Sequence, residues 1–524
     1  MRRLTSRGRL KRLVAGFAAI LLALTSSLPA HPASAAGPTL RYVGGEPATF
    51  DPAFIGSAGD VEFLLQLYAG LTRLDEDGKP YASLAESWSV SDDGRTYTFH
   101  MRPGLTFSDG SPLDATDVRR SWLRVLDPAT HSTAPDVLSI IDGATERLAG
   151  GVEDGVAIAA PDARTLTVRL KHPAAYFTAI AATPTAFVVP RSATGRDDSW
   201  QSRQGSIGSG PYVASGTDGK DVILRANQRY VAGPPPITEI RWVTDLVGDS
   251  ATAYADDQVD LTPVGSSDAG WIAYDRDLGP ALHRSAALGV QYFGFDTTRP
   301  PFDDARVRRA FALALDRPRL VTNAEGSGGT PASSVVPPAL WPQGMEDDQV
   351  TDLAEARRLL DAAGYTDRTR LGTITVNGSG LGVGPAVRVW EDELGVKIAM
   401  ETMQFRDYLD ALVVAPPQVF TINWIADYPS PYALYSLLLL PDATSNYGHW
   451  DDPEFVRLLE AASAAQSEDD QAVAYRAVDA RVDAETPIIP WSYGAGWWLV
   501  RPGLRGLGNL TTGLLDLGRV SWDQ

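Results

Sequence analysis

The sequence of 524 residues contains no cysteine. This absence excludes disulfide bonds, thiolate metal sites and cysteine nucleophiles. It also excludes the lipid-modified cysteine that holds many exported bacterial proteins at a membrane. We therefore expect a protein that is free in its compartment, without a lipid anchor on cysteine and without covalent cross-links.

Histidine is scarce, and the six histidines are scattered along the chain. None of them is paired at i and i+4, the spacing that places two metal ligands on one face of a helix. We therefore expect no bound metal and no other cofactor.

The motifs of common enzyme sites fail on their spacing. The segment "GSIGSG" at 205–210 misses G-x-S-x-G, and "GSGLGVGP" at 378–385 breaks G-x-G-x-x-G at Pro385. The segment "GTDGKD" at 216–221 lacks the spacing of a phosphate-binding P-loop. We expect a protein that is not an enzyme, and a secreted or biosynthetic enzyme that reuses the fold stays open as an alternative.

Residues 1–36 have the composition of a secretory signal peptide. Six basic residues and the apolar run Leu13–Leu28 precede the small-residue segment "ASAAG". This run is shorter than the roughly 18 apolar residues of a membrane span, and no later segment approaches that length. Without this leader the formal charge falls from −19 to about −25, which disfavours nucleic acid and anionic lipid as partners. We expect an exported protein, periplasmic or extracellular.

Short strand patterns interleaved with helical patterns predict an α/β architecture. Tyr97, Phe99 and Met101 alternate with polar residues as on a half-buried strand, and Asp114 is placed to cap the helix that follows. Three further helices are predicted to begin behind aspartates, at Asp304, Asp352 and Asp452. No repeat of 20 to 50 residues is present, which disfavours solenoids and propellers.

The stretch "VFTINWIADYPSPYALY", 419–435, joins a strand pattern to a carboxylate. Trp424 stands three residues before Asp427 at the predicted strand end, where open sheets usually present ligands. Two roles for Asp427 stay open at this point. Its side chain could face a ligand, or it could cap the turn "DYPSP" through backbone amides.

Several blocks of the chain, in this order, resemble the bacterial extracellular solute-binding proteins of family 5. They are "YAGLTRLDEDGKPYASLAESWSVSDDGRTYTFHMRPGLTFSDG", "GSGPYV", "YFGFDTTRPPFDDARVRRAFALALDR", "AAGY" and "INWIADYPSP". The resemblance runs from about Thr39 to the C-terminus. This family includes the oligopeptide-, dipeptide- and nickel-binding components of ABC importers.

The resemblance implies the two-lobed periplasmic-binding-protein fold of type II, hinged around a central cleft. It implies a first lobe at 37–75, 196–287 and 489–524, an extra subdomain of that lobe at 76–195, and a second lobe at 288–488. Two crossings of the chain between the lobes would form the hinge.

The implied function is that of a monomeric solute receptor. It would capture a small molecule between its lobes and deliver it to a membrane permease driven by a separate ATPase. A short peptide or another amine-bearing molecule is favoured, and an oligosaccharide or a metal complex is the alternative. A sensor that hands its ligand state to a membrane receptor would share the same binding step.

The resemblance also implies ligand-binding residues. Asp427 matches the aspartate that pairs with the ligand's ammonium group in peptide-binding relatives, and an ammonium buried without a counter-charge would cost several kcal/mol. The relatives pair the ligand main chain with an extended stretch that is "DPAFIGSAG" here, at 51–59, which selects Gly56, Ser57 and Ala58. The other candidates, for which packing roles stay open, are Trp424, Asn423, Tyr428, Asn446, Tyr447 and Trp450.

Overall fold

A computed structural model describes residues 38–523, except 76, 195–199, 247, 326–328, 342–350, 378–381, 466 and 509–514. The predicted signal peptide at 1–36 and the first part of the glycine-rich loop at 378–385 lie outside the described residues. None of the described helices combines the length and the apolar character needed to cross a membrane.

The strands are short in the first half of the chain and include two long ones later. They are β1 Thr39–Val43, β2 Thr72–Leu74, β3 Pro80–Ala82, β4 Ala85–Val90, β5 Thr96–Met101, β6 Ile158–Asp162, β7 Thr165–Arg169, β8 Tyr212–Asp218, β9 Asp221–Ala226, β10 Glu239–Val243, β11 Leu261–Val264, β12 Leu282–Phe295, β13 Thr330–Pro331, β14 Thr373–Asn377, β15 Lys397–Glu401, β16 Val419–Ile425, β17 Ile488–Val500, β18 Leu504–Arg505 and β19 Ser521–Trp522.

Helices alternate with these strands. They are α1 Ala58–Leu67, α2 Ala115–Val125, α3 Ala144–Leu148, α4 Phe177–Ile180, α5 Ser250–Ala255, α6 Ser266–Ile272, α7 Ala305–Leu313, α8 Arg317–Glu325, α9 Leu353–Ala362, α10 Val383–Leu394, α11 Phe405–Val414, α12 Pro431–Leu439, α13 Pro453–Ala464 and α14 Glu468–Glu485. Short 3₁₀ turns, such as Pro52–Phe54 and Pro184–Ala186, connect several of them.

The predicted helix starts are confirmed. The Asp114 carboxylate accepts a hydrogen bond from the Thr116 amide at 2.8 Å, and the Asp117 side chain bonds back to the Asp114 amide at 3.2 Å. This reciprocal pair satisfies amides that have no partner within helix α2. The side chains of Asp304, Asp352 and Asp452 also accept hydrogen bonds from first-turn amides, of α7, α9 and α13 respectively. The predicted strand alternation is also confirmed, because Tyr97, Phe99 and Met101 are all buried.

One large mixed sheet runs through most of the molecule. Its order is β15–β14–β16–β12–β17–β11–β1–β10–β9–β8, and β13 pairs with β17. Strand β14 is parallel to β15 and β16, and β1 is parallel to β10 and β11. Ligands of open α/β sheets usually bind beyond the carboxyl ends of such parallel strands.

Strands β12 and β17 connect the two halves of this sheet. Leu282–Ala286 pair with the end of β17, whereas Val290–Gly294 pair with its beginning. Between these two sections, the three residues 287–289 face the single residue Gly494. A Cβ built at Gly494 would lie 3.2 Å from the Cβ of Ala287, so the bulge packs tightly against this glycine.

Five hydrophobic clusters fill the described structure around these strands, and the smallest packs α5 and α6 against Val243 and Leu499. One lies under the separate sheet β4–β5–β7–β6 and helix α2, and a second lies between the large sheet and α1. The other two lie on opposite faces of β12, β16 and β17, around α7 to α10 on one face and α12 to α14 on the other. We propose the division into lobes and subdomain given above, supported by this arrangement of cores.

Candidate functional site

Strand β16 ends where the two halves of the large sheet meet. Its last two pairs with β12 are Trp424 with Val290 and Ile425 with Gly289, and the Ala426 amide then donates to the Leu288 carbonyl at 2.9 Å. These partners adjoin the bulge at 287–289. The residues that follow Ile425 therefore lie at the junction of the lobes.

Solvent exposure alternates along this strand end. Asn423, Ile425 and Asp427 are exposed, whereas Trp424 and Ala426 between them are partly buried. Successive side chains of an extended chain point to opposite faces, so the three exposed residues share one face. Ile425 is 48% exposed, which leaves an apolar surface between the amide of Asn423 and the carboxylate of Asp427.

The carboxylate of Asp427 has no partner in the described part of the chain. No described residue donates a hydrogen bond to it, and no basic residue forms an ion pair with it. Its side chain reaches solvent, yet the protein around it removes enough water to raise its pKa to about 6. We refer below to the exposed face of Asn423, Ile425 and Asp427 as the recess.

The alternative role of Asp427 as a turn cap is not seen among the described contacts. The turn is closed by the Ser430 amide, which donates to the Tyr428 carbonyl at 2.8 Å. The Ser430 hydroxyl caps helix α12 by accepting from the Tyr432 amide at 3.3 Å. Ser430 therefore performs the local role that was considered for Asp427.

Trp424 does not share the recess with Asp427, and this corrects the expectation that both face one pocket. It packs against the cluster around α12 to α14. Two residues that are three positions apart on an extended chain point to opposite faces, and this parity separates the indole from the carboxylate.

Tyr428 contacts the subdomain. Its ring stacks on Tyr176 with the centroids 5.4 Å apart, and Tyr432 stacks on the same ring at 4.6 Å. Tyr428 also packs against the cluster that contains Ala53 of the first lobe. The turn that carries Asp427 is thus held against Tyr176 and its cluster by aromatic contacts.

Two other predicted site residues lie inside the second lobe, which corrects their placement in the cleft. Asn446 is 7% exposed, and its amide group bonds to the Leu440 and Trp450 carbonyls at 3.1 and 2.8 Å. Trp450 is 4% exposed and packs on Phe455 at 4.9 Å. These contacts fix a loop and fill a core. Tyr447 packs against the same cluster.

Gly56, Ser57 and Ala58 are exposed, but their local bonds differ from those of a free strand edge. The stretch 51–59 is extended at Ile55 and Ser57, whereas a 3₁₀ turn precedes them and helix α1 follows. The Asp60 carboxylate accepts from the Gly56 amide at 3.0 Å and from the Ser57 hydroxyl at 3.0 Å. The expected extended conformation is therefore found between the 3₁₀ turn and helix α1, at Ile55 and Ser57, and not along the whole stretch 51–59.

Three residues that sequence reasoning missed lie beside Asn423. Gln291 is directly opposite Asn423 on β12, and Ser492 is opposite Gln291 on β17. Both donate to the Glu325 carboxylate, Gln291 at 2.6 Å and Ser492 at 3.0 Å. Burial raises the pKa of Glu325, and the hydrogen bonds from Ser492 and Gln291 oppose that shift.

The described residues offer no cluster of three or more histidine and acidic side chains that could hold a metal ion. The recess and the residues beside it instead combine two carboxylates, two amides and one exposed aliphatic side chain. This set suits an organic ligand that has a positive charge and an apolar part.

The family model of the bacterial extracellular solute-binding proteins, family 5 Middle, matches residues 79–446. The chain belongs to this family. Like its relatives, this family 5 chain has the two-lobed α/β fold of the periplasmic binding proteins.

Similar proteins of known sequence cover almost the whole chain. The probable deoxycholate-binding periplasmic protein YgiS of Escherichia coli K12 is 29% identical over 91% of this chain and 92% of its own length. The periplasmic oligopeptide-binding protein OppA of the same organism is 28% identical over 96% and 95% of the two chains. Among solved structures, the unliganded open form of the murein tripeptide-binding protein MppA superposes with a TM-score of 0.80. It is 25% identical and covers 93% of this chain and 97% of its own.

Proposed function

We propose that this family 5 protein is the solute receptor of an ABC importer and that it captures an amine-bearing small molecule, foremost a short peptide with a free amino end. The observation that carries the proposal is the carboxylate of Asp427, which reaches solvent just beyond the end of β16 and has no partner among the described residues. A ligand ammonium would supply the counter-charge that the described protein does not.

The relatives differ in what their names say they bind, oligopeptides for OppA and deoxycholate for YgiS. The site favours the first kind of ligand. Deoxycholate is an anion, and a carboxylate without a counter-charge would repel it. An oligosaccharide is less well supported, because the indole of Trp424 is partly buried and packs against the cluster around α12 to α14.

Capture would work as a population shift. A ligand favours the closed form only by its excess affinity for that form, so it must contact both lobes. Asp427 and Asn423 would hold it from the second lobe, and residues beside Gly56 and Ser57 would approach from the first. The bulge at 287–289 against Gly494 lies on both connecting strands and is the place where bending would occur.

The relatives support the proposed compartment and partners. The family description is extracellular, and the two curated relatives above are named periplasmic. We infer export, action as a monomer without a cofactor or an enzymatic activity, and transfer of the ligand to a membrane permease with a separate ATPase.

The test combines a ligand screen with one charge-neutralising substitution. Native mass spectrometry and thermal shifts with peptides, peptide amides, sugars and bile salts identify a ligand. Asp427→Asn should then weaken an amine ligand by about tenfold to a hundredfold. Asp392→Asn, which removes a carboxylate from the exposed side of α10 in the same lobe, is the matched control. Equal affinities of the Asp427→Asn variant and the wild type would refute the proposal, as would chemical turnover of the ligand.

A further inference from the structure

The face of the sheet that carries Asp427 continues across the two strands that join the lobes. Asn423 pairs with Gln291, and Gln291 pairs with Ser492. Residues directly opposite each other in antiparallel strands point to the same face. Asn423, Gln291 and Ser492 therefore form one row of polar side chains, which runs from the exposed Asn423 to the buried Ser492, with Asp427 beyond the Asn423 end.

Glu325 lies over the other end of this row. It is the last residue of α8, and both of its carboxylate oxygens accept hydrogen bonds, from Gln291 and from Ser492. These two bonds orient the carboxylate on the same face as Asn423. A Cβ built at Gly329 would lie 2.3 Å from Glu325 Oε2, so the chain passes close to the carboxylate only because residue 329 has no side chain.

The described contacts do not neutralise Glu325. Its two partners are an uncharged amide and a hydroxyl, and burial raises its pKa without an opposing cation. Arg284, the basic residue of the same connecting strand, lies over the ring of Trp497 at 5.7 Å and donates to the Thr330 hydroxyl. Two carboxylates without a described cation, Asp427 and Glu325, thus border one recess.

Strand geometry sets the spacing of the two carboxylates. Asp427 is four residues beyond Asn423, about 13 Å along the strand, and Ser492 is two strands across, about 10 Å. Because Glu325 bonds to Gln291 as well as to Ser492, it lies between one and two strands across, and the two negative groups are on the order of 15 Å apart. One cationic group of a ligand cannot contact both.

We propose that Glu325 determines specificity by binding a second positive charge, so that the preferred ligand is a dication with its charges about 10 Å or more apart. This inference rests on the proposed function, in which Asp427 binds the first ammonium. A short peptide with a free amino end and a basic side chain fits this description. A polyamine offers the same chemistry from another source. The exposed Ile425 lies between the charges and suits a methylene chain.

The experiment compares two probes that differ by one charge. Gly-Gly-lysine amide carries two positive charges, and Gly-Gly-norleucine amide carries only the terminal ammonium on a side chain of similar length. Isothermal titration calorimetry with the full secreted chain should give about tenfold tighter binding of the lysine peptide. Higher salt should reduce this preference, because the second ion pair is partly exposed. Spermine, titrated alongside, distinguishes a polyamine from a peptide ligand.

Glu325→Gln and Asp427→Asn separate the inference from the proposed function. In Glu325→Gln, the new amide oxygen can still accept from Ser492, and the new amide N–H can donate to the Gln291 oxygen once the Gln291 amide turns over. The variant should therefore fold and bind the norleucine peptide as the wild type does, but its ratio of lysine-peptide to norleucine-peptide affinity should fall to about one. In Asp427→Asn, both peptides should weaken by the same factor. The role of Glu325 is overturned if the wild type binds the lysine peptide no more tightly than the norleucine peptide, or if tighter binding of the lysine peptide survives in Glu325→Gln. Either result leaves the proposed function intact. Failure of both peptides to bind overturns both proposals.

Discussion

Glu62 is a buried acid in the first lobe, and its neutralisation should stabilise the protein at alkaline pH. It lies on α1 with 8% exposure, and the Tyr42 hydroxyl donates to its Oε2 at 2.5 Å. Its Oε1 is buried and has no hydrogen-bond partner among the described atoms. Burial raises its pKa to about 7, and the bond from Tyr42 opposes the shift.

The magnitude follows from linkage. The unfolded chain ionises Glu62 near a pKa of about 4.3, so the folded state binds this proton more tightly by nearly three pH units. The stabilisation from this bound proton is fully present below about pH 4.3 and is lost as the pH rises through about 7. The total loss in free energy of unfolding is about 3–4 kcal/mol. Glu62→Gln removes this loss, and an unpartnered amide offsets it by about 1 kcal/mol.

Urea denaturation at pH 5 and pH 8, followed by tryptophan fluorescence, measures the effect. The gain in free energy of unfolding from Glu62→Gln should be larger at pH 8 than at pH 5 by about 2–3 kcal/mol. Glu401→Gln, a neutralisation of an exposed acid on β15, should show no such difference. An equal effect of Glu62→Gln at the two pH values would refute the reasoning.

The remaining predictions concern the recess and a buried ion pair. Because the pKa of Asp427 is about 6 in the free protein, the affinity for a permanently charged amine should fall about tenfold between pH 7 and pH 5, and a pH-independent affinity would contradict an ionised Asp427 as the contact. Arg124→Met should destabilise the protein by about 3–5 kcal/mol, because Asp51 then remains buried after losing its bond of 3.0 Å to the guanidinium. The double variant Arg124→Met with Asp51→Asn should recover part of that loss in the same denaturation assay.

Local rules of the sequence were sufficient for helix starts. Asp114 and Asp452 cap helices because a short acidic side chain can reach the first free amides, and this geometry depends only on neighbouring residues. The strand before Asp427 was also predicted, but its faces were not. Trp424 was placed beside Asp427 by proximity in sequence, whereas the alternation of an extended chain puts the two on opposite faces.

Contacts between distant segments could not be predicted in this way. Glu325 is more than 90 residues from Asn423 and more than 160 from Ser492, and only the pairing of β16, β12 and β17 brings them together. The sequence did contain a signal for Ile425, because the alternation of an extended chain places it on the same face as Asn423 and Asp427. No comparable pattern marks Glu325 at the end of its helix.

The strands that carry Gln291 and Ser492 are the same two that pass between the lobes. A rotation of one lobe about the bulge at 287–289 would therefore move Gln291 and Ser492, to which Glu325 is bonded, relative to Asp427, which lies two residues beyond the end of β16. A rotation of the lobes would then change the distance between the carboxylates of Asp427 and Glu325 directly, without other residues transmitting the change. The distance between the two positive charges of a bound ligand would then depend on how far the lobes are open.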